Sequence, residues 1–284
     1  MTPALALFWL LVAGNSGSGN SGSGAARAVP FVPTVTSGGI LVFSRTTGFR
    51  HDSIPDGIAT VRRIAEELEI PVDATENPSA FTDANLALYR LVVFLLTTGD
   101  VLDDAEQEAF ERWVRAGGAF VGIHSATDTE YEWPFYGTLV GAYFAGHPAI
   151  QTATIRVEDP AHPATAALPA AWTRTDEWYD FRTNPRGTVH VLATVDETTY
   201  SGGSMGADHP IAWCHNYDGG RAWYTAGGHT RESYSEPLFV AHLAGAIRWA
   251  AGLAPGSCGP VVRGVPKPVS RIPKPTPRVV HPRN

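Results

Sequence analysis

Apolar runs and amphipathic stretches alternate through the first half of the chain. Ile40-Leu41-Val42-Phe43 is a continuous apolar strand, and a polar loop, residues 44–55, follows it. From Gly57 to Leu68 the period becomes helical: Ile58, Val61, Ile64, Ala65 and Leu68 share one face, and Arg62, Arg63, Glu66 and Glu67 the other. Pro71 to Ala74 reads as a short second strand and Leu91 to Leu96 as a third. A helix over 103–116 stops at Gly117-Gly118, and Ala119 to Ile123 forms a fourth strand that runs directly into His124. Strands apolar at every position suit a parallel sheet covered on both faces, where neither side meets water.

The second half has a different texture. Residues 150–157, 189–195, 211–214 and 221–226 read as strands, several of them alternating in polarity. A last amphipathic helix spans 237–251, with Ser235 as its expected N-cap and Gly252 as its stop. No compositional break falls between Gly38 and Leu253. The pattern therefore predicts one α/β domain over residues 39–253, with a mostly parallel central sheet and an embellished, β-rich second half.

The ends read differently. Residues 1–28 hold a short apolar run (Leu5, Leu7, Phe8, Trp9, Leu10, Leu11, Val12), a repeated Asn-Ser-Gly-Ser-Gly segment and Ala26-Arg27-Ala28. That order fits a signal peptide with a small-x-small cleavage site, and hence a secreted or envelope-associated protein. Uncleaved, the Gly/Ser segment would act as a tether. Residues 259–284 alternate proline with Arg and Lys, a composition that opposes helix and central strand and favours a stiff extended tail. The tail is read as an inert remnant or as a weak attachment to an anionic envelope polymer.

Charge and composition exclude several functions. Hydrophobic residues make up 44% of the 284, enough for a sizeable core, yet no apolar run approaches the roughly 20 residues of a membrane-spanning helix. Residues 260–284 carry six of the 21 basic residues and none of the 28 acidic ones, so the rest of the chain stands at −13. A body that acidic is unsuited to nucleic acid. Lys267 and Lys274, both in the tail, are the only lysines, which removes Schiff-base chemistry and a Walker-type phosphate loop from the folded body. Two cysteines are too few for a disulfide scaffold. Cys214 and Cys258 either pair in an oxidising compartment or leave Cys214 as a buried apolar residue. A Cα separation beyond about 7 Å would rule the bridge out.

In an open parallel sheet, sites form at the carboxyl ends of strands. Three loops there concentrate polar residues: Arg45 to Ser53, with Arg50 and His51; Thr97 to Asp100, with Thr98; and His124 to Glu130, with Ser125 and Asp128. Gly122-Ile123-His124-Ser125-Ala126 has the form of a nucleophile elbow, but histidine occupies the central position, which disfavours an acyl-enzyme. Asp128, four residues on, would share a helix face with His124 and orient its imidazole. Further along come His147-Pro148, Asp176-Glu177-Trp178-Tyr179, Asp208-His209-Pro210 and Gly227-Gly228-His229. His162 and His190 read as ordinary surface or strand residues. No pair of histidines has the spacing of a helical zinc motif, so a divalent metal such as zinc would have to be gathered from separate loops by His51, His124, His147 and His229. No cofactor motif is found: Gly202 to Gly206 is glycine-rich but lacks a strand–helix frame. Eight tryptophans and nine tyrosines are many for this length, and Trp133, Trp178 and Tyr179 adjoin the polar clusters. Flat aromatic faces beside carboxylates suit sugar rings.

The runs Gly48 to Ile54, Gly122 to Asp128, Asp176 to Tyr179, Asp208 to Trp213 and Gly228-His229 together resemble the ThuA-like family, named for trehalose utilisation, over roughly residues 39–252. The resemblance implies a flavodoxin-like, class I glutamine-amidotransferase-like three-layer fold and a role in bacterial sugar catabolism. It removes glutaminase activity, because His124 stands where amidotransferase relatives carry cysteine. Two functions follow. The first is an enzyme acting on a glucoside or keto-sugar by hydrolysis, elimination or isomerisation. In it His124 is the acid/base and Asp128 its orienting partner, and Asp176 and Glu177 share in proton transfer. Arg50, His51, Thr98, Asp100, Ser125, Trp133, Trp178, Tyr179, His209 and His229 bind the sugar or oligosaccharide. The second is a binding module in which the same residues only recognise hydroxyls.

Overall fold

The computed structural model describes residues 38–259 and the backbone of residues 261–262. The expected signal segment, residues 1–28, lies outside the described residues, as does almost all of the proline-rich tail.

The parallel half forms as its apolar pattern requires. Strands β1 (Gly39–Phe43) and β4 (Ala119–Ile123) are buried at every residue, and β3 (Tyr89–Leu95) at all but one. With β2 (Val72–Thr75) and β11 (Gly220–Thr225) they make a parallel set in the order β2-β1-β3-β4-β11. Helix α1 (Ile54–Glu66) begins with proline in its first turn and buries Val61, Ile64 and Ala65. Helix α3 (Asp104–Arg115) starts in a complete capping box. The Asp103 carboxylate accepts from Ala105 N and Glu106 N, and Glu106 accepts in return from Asp103 N. A short α2 (Asp83–Leu86) packs against α3, and α1 packs against the last helix, α5 (Pro237–Ala250). The expected N-cap of α5 needs correction: Glu236 occupies that position, and Ser235 closes a preceding 3-10 turn by donating to Glu232 O.

Beyond β11 the sheet turns antiparallel, through β10 (Pro210–Tyr217), β9 (His190–Asp196), β6 (Gln151–Val157) and β7 (Ala171–Asp176). A separate two-stranded ladder joins β5 (Phe144–Gly146) to β8 (Asp180–Phe181), after the short helix α4 (Pro134–Val140). Strand β7 was not legible as a strand because its inward positions, Trp172, Arg174 and Asp176, include two charged residues. The start of the tail also departs from expectation. Val261–Val262 pairs in parallel with Asn216 and Tyr217, where β9 has ended and left that edge of β10 open. Among the described residues no helix is long and apolar enough to cross a membrane.

Cys214 and Cys258 form a disulfide with a Cα separation of 5.5 Å, tying the chain after α5 to β10. Such a bond is compatible with an extracellular location. His162, read as an ordinary surface or strand residue, is buried against it, with Nε2 3.5 Å from Cys258 Sγ. Removing the bridge by Cys214→Ser or Cys258→Ser frees 44 residues of unfolded chain, and we expect a loss of roughly 2–4 kcal/mol in urea denaturation. A reduced protein as stable as the oxidised one would contradict this.

Burial pushes His162, His215 and His242 each down to about 4. In the unfolded chain they return to about 6.5, so between those values the unfolded state binds more protons and stability rises with pH. We therefore expect stability present at pH 7 to be lost as pH falls from about 6.5 towards 4, by on the order of 2 kcal/mol per histidine at pH 5. Urea denaturation at pH 7 and pH 5 checks this, and a flat profile would mean these imidazoles are solvated.

Candidate active site

Three strand ends of the parallel half each deliver a histidine. His51 comes from the loop after β1, His124 directly from β4, and His229 from the turn after β11. His124 sits at φ +53°, an αL conformation uncommon outside glycine, which turns its ring back over the sheet edge. The Tyr224 hydroxyl donates to its carbonyl at 2.8 Å and holds that turn. Gly228 is at φ +109°, and a Cβ there would meet the Tyr234 hydroxyl at 2.9 Å, so glycine is required where His229 is aimed. Ser53, at the start of α1, caps nothing. Its hydroxyl donates to His229 O at 2.7 Å instead.

The fourth member, Glu177, arrives from β7, four strands away from β11 in the sheet. At about 4.8 Å per strand that is roughly 19 Å. Yet Asp176 accepts hydrogen bonds from Gly228 N (2.8 Å) and His229 N (3.1 Å), so the antiparallel half coils back over the carboxyl ends of the parallel half. Asp176 is fully buried and is paired with the equally buried Arg174. Burial alone would raise its carboxyl, but the guanidinium and neighbouring His124 hold it below the usual range.

The three imidazoles stand edge to face, with ring centroids 4.9–5.1 Å apart. His124 Nδ1 lies 2.7 Å from Ala226 O, which can only accept, so Nδ1 carries the proton and Nε2 presents a lone pair. That Nε2 is 3.1 Å from His229 Nδ1 and 3.4 Å from Glu177 Oε2, and the last two atoms are 3.0 Å apart. Glu177 Oε1 meets His147 Nδ1 at 3.0 Å on the open side. Burial opposes ionisation of Glu177, but the adjoining imidazoles of His124 and His229 outweigh it and hold the carboxyl well below its usual range. Burial lowers His229, while Glu177, Asp176 and Asp52 more than compensate and raise it. Burial, then His124 and His229, push His51 down to about 3, and its buried Nδ1 has no hydrogen-bond partner. His51, His124, Glu177 and His229 bring ligand atoms within 4.8 Å of one another, a set that could hold a metal ion. The Tyr179 ring lies against His124 at 4.1 Å.

Other predicted residues lie outside this centre. Asp128 bonds neither ring nitrogen of His124: the segment after β4 is a single 3-10 turn, so position i+4 leaves that face, and Asp128 accepts from the Tyr131 hydroxyl at 2.6 Å. Glu177 takes that place beside the imidazole. Arg50 is exposed in a bidentate pair with Glu76. Thr98 binds the backbone of residues 48 and 49, Asp100 faces solvent, and the Ser125 hydroxyl is buried without a partner. Trp133 and Trp178 are buried, with their indole N–H groups donating to Glu111 and Gln151 O, and offer no face to a sugar. His209 is buried between Glu197 Oε1 and Tyr179 O, both at 2.8 Å. The residues that sequence reasoning missed are the ones that aim the others: Ser53, Arg174, Tyr224 and the Ala226 carbonyl. Nothing in the sequence pattern signals Arg174, because the inward face of β7 carries two charged residues.

The sheet is mixed, parallel in one half and antiparallel in the other, and not mostly parallel as expected; a histidine–carboxylate centre at the carboxyl edge of its parallel half defines an α/β protein with a strand-end site. The family follows from the sequence: residues 39–250 match ThuA, described as trehalose utilisation, and the chain belongs to that family. No curated protein matches the chain. Its fold is similar to that of a ThuA-like protein from Bacteroides uniformis (TM-score 0.64, 21% identity, covering 79% of this chain and 95% of that one). A ThuA-like protein from Parabacteroides merdae is also similar (TM-score 0.61, 21% identity, 76% and 90%). So is a cytoplasmic protein from Salmonella typhimurium (TM-score 0.51, 10% identity, 75% and 98%).

Arg174→Met would strand the buried Asp176 charge. We expect a loss of roughly 3–5 kcal/mol, read by chemical denaturation, and a cost below about 1 kcal/mol would show that Asp176 does not depend on the pair.

Proposed function

We propose that this protein is a secreted enzyme of carbohydrate catabolism that moves a proton on trehalose, a related glucoside or a keto-sugar. The observation that carries the reading is the triangle formed by His124 Nε2, His229 Nδ1 and Glu177 Oε2. Two acceptors, an imidazole lone pair and a carboxylate oxygen, face each other 3.4 Å apart. A hydrogen-bond donor or a cation has to sit between them. A proton on His229 Nδ1, reaching both at 3.0–3.1 Å, meets that need and makes a relay. His124, fixed by Ala226 O, is the acid/base; Glu177 orients and charges the pair; His147 stands at the solvent side. The apolar N-terminal run and the disulfide support export, where such a protein meets oligosaccharides before uptake.

The same triangle fits a divalent metal such as zinc. Ligands about 2.0–2.1 Å from a tetrahedral ion lie roughly 3.3 Å apart, close to the three spacings here, and His51 belongs to the same set as a fourth donor. When bound, such an ion would polarise a sugar carbonyl or hydroxyl.

His124→Ala and Glu177→Gln are expected to lower turnover of a glucoside or keto-sugar by at least about 100-fold with the fold intact, and Asp128→Asn by less than about tenfold. Product formation is followed by chromatography beside the metal content of each purified variant. A His124→Ala protein near wild-type turnover would defeat the acid/base assignment. Ligand-dependent stabilisation of the wild type without any product would make the protein a binding module.

A further inference from the structure

The disulfide that ties the chain after α5 to β10 has a third member. His162 is buried, and its Nε2 lies 3.5 Å from Cys258 Sγ and 3.8 Å from Cys214 Sγ. Ala164 N donates to its Nδ1 at 3.2 Å, so Nδ1 presents the lone pair and, in a neutral ring, Nε2 carries the proton. Burial, which pushes His162 down to about 4, keeps the ring neutral above that pH. An N–H donor is therefore aimed at both sulfurs. By distance alone the three residues could gather a metal ion once the bond is reduced, but a metal at Nε2 needs the lone pair that this tautomer places on Nδ1. What an N–H beside sulfur does instead is stabilise a thiolate.

The bond can also be reached without unfolding the body. Cys214 lies within β10, paired to β11 on one side and β9 on the other. Cys258 lies on a short strap, residues 255–259, in which it alone is buried. Apart from the disulfide, the strap is held by Trp249 Nε1, which donates to Gly256 O at 3.1 Å, and by Asn216 Nδ2, which donates to Gly259 O at 3.4 Å. It lies directly over the imidazole: a Cβ on Gly256 would meet Trp249 Cδ1 at 2.7 Å and His162 Cδ2 at 3.1 Å. A segment with so few contacts opens at far smaller cost than the sheet beneath it.

We propose that Cys258 is a thiol–disulfide exchange site, reached by opening of the strap, with His162 as its positioning donor and a dithiol as co-reactant. A thiolate of the dithiol attacks Cys258 Sγ. The Cys214–Cys258 bond breaks and its electron pair leaves on Cys214 Sγ, where the His162 N–H meets the new thiolate. The second thiolate of the dithiol then displaces Cys258 Sγ from the mixed disulfide. The dithiol ends as a disulfide, and the two cysteines take up the two protons it gave up. Reduction releases the strap from β10 and uncovers His162. This site stands apart from the histidine–carboxylate centre and does not depend on the carbohydrate reading.

Reduction of the native protein by dithiothreitol at one fixed pH tests it, followed by mass spectrometry of alkylated samples at rising, sub-denaturing urea. Exchange through the strap is expected to speed up by less than about twofold per molar urea, whereas exchange that waits for global unfolding gains about tenfold or more. The steeper slope overturns the site. His162→Phe is expected to slow reduction about tenfold, and His162→Gln, which keeps an N–H, by less than about threefold. The sign separates the donor from mere packing, because replacing a ring that only packs loosens the strap and speeds reduction. An unchanged or faster His162→Phe therefore overturns the role of His162. With 2-mercaptoethanol, a monothiol, peptide mapping is expected to find the mixed disulfide on Cys258, and finding it on Cys214 overturns the assignment of the attacked sulfur.

Discussion

The buried carboxylate of Asp176 is what joins the two halves of the molecule. It takes hydrogen bonds from the backbone N–H groups of Gly228 and His229 at the end of one parallel strand, while Arg174 on its own strand balances its charge. Those contacts span four strands of sheet and exist only if the antiparallel half coils over the carboxyl edge. Glu177 is placed against the histidines because it follows Asp176, and Tyr179 is placed against His124 for the same reason. A buried ion pair of this sort adds little net stability, since both charges were well solvated in the unfolded chain. What it provides here is position.

Within the centre so formed, the charges are distributed by burial and by neighbours in opposite directions. Glu177 is held ionised and His229 is drawn towards its protonated form, while His51, more buried and surrounded by other imidazoles, is kept neutral. The centre thus sets one ionised carboxylate against three imidazoles, a set that could hold a metal ion. The αL backbone of His124 and the glycine at 228 are the local distortions that aim it, and both lie where a strand of the parallel half ends.

Membership of the ThuA family and the likeness to ThuA-like folds agree with this architecture, at identities that speak to fold and not to reaction. The substrate has to be argued from the site itself. There the burial of Trp133 and Trp178 changes the picture, since every described tryptophan stabilises the core and offers no face at the centre.

The sequence by itself determined the elements whose pattern is apolar and local. Strands β1, β3 and β4, helices α1 and α3, and the positions of His51, His124 and His229 at strand ends are all readable from periodicity and from the carboxyl-end rule. The pairing of Cys214 with Cys258 was legible as one of two outcomes and needed the 5.5 Å separation to decide it. Only the tertiary structure decided which carboxylate lies against the His124 ring. Asp128 is near in sequence, but a 3-10 turn carries it off the face, whereas Glu177, 53 residues away, is brought in by the coiling of the sheet. Strand β7 escaped notice for the same physical reason. Its inward charges, Arg174 and Asp176, satisfy each other and the backbone of a distant turn, and partners so remote in sequence leave no periodic mark on the chain.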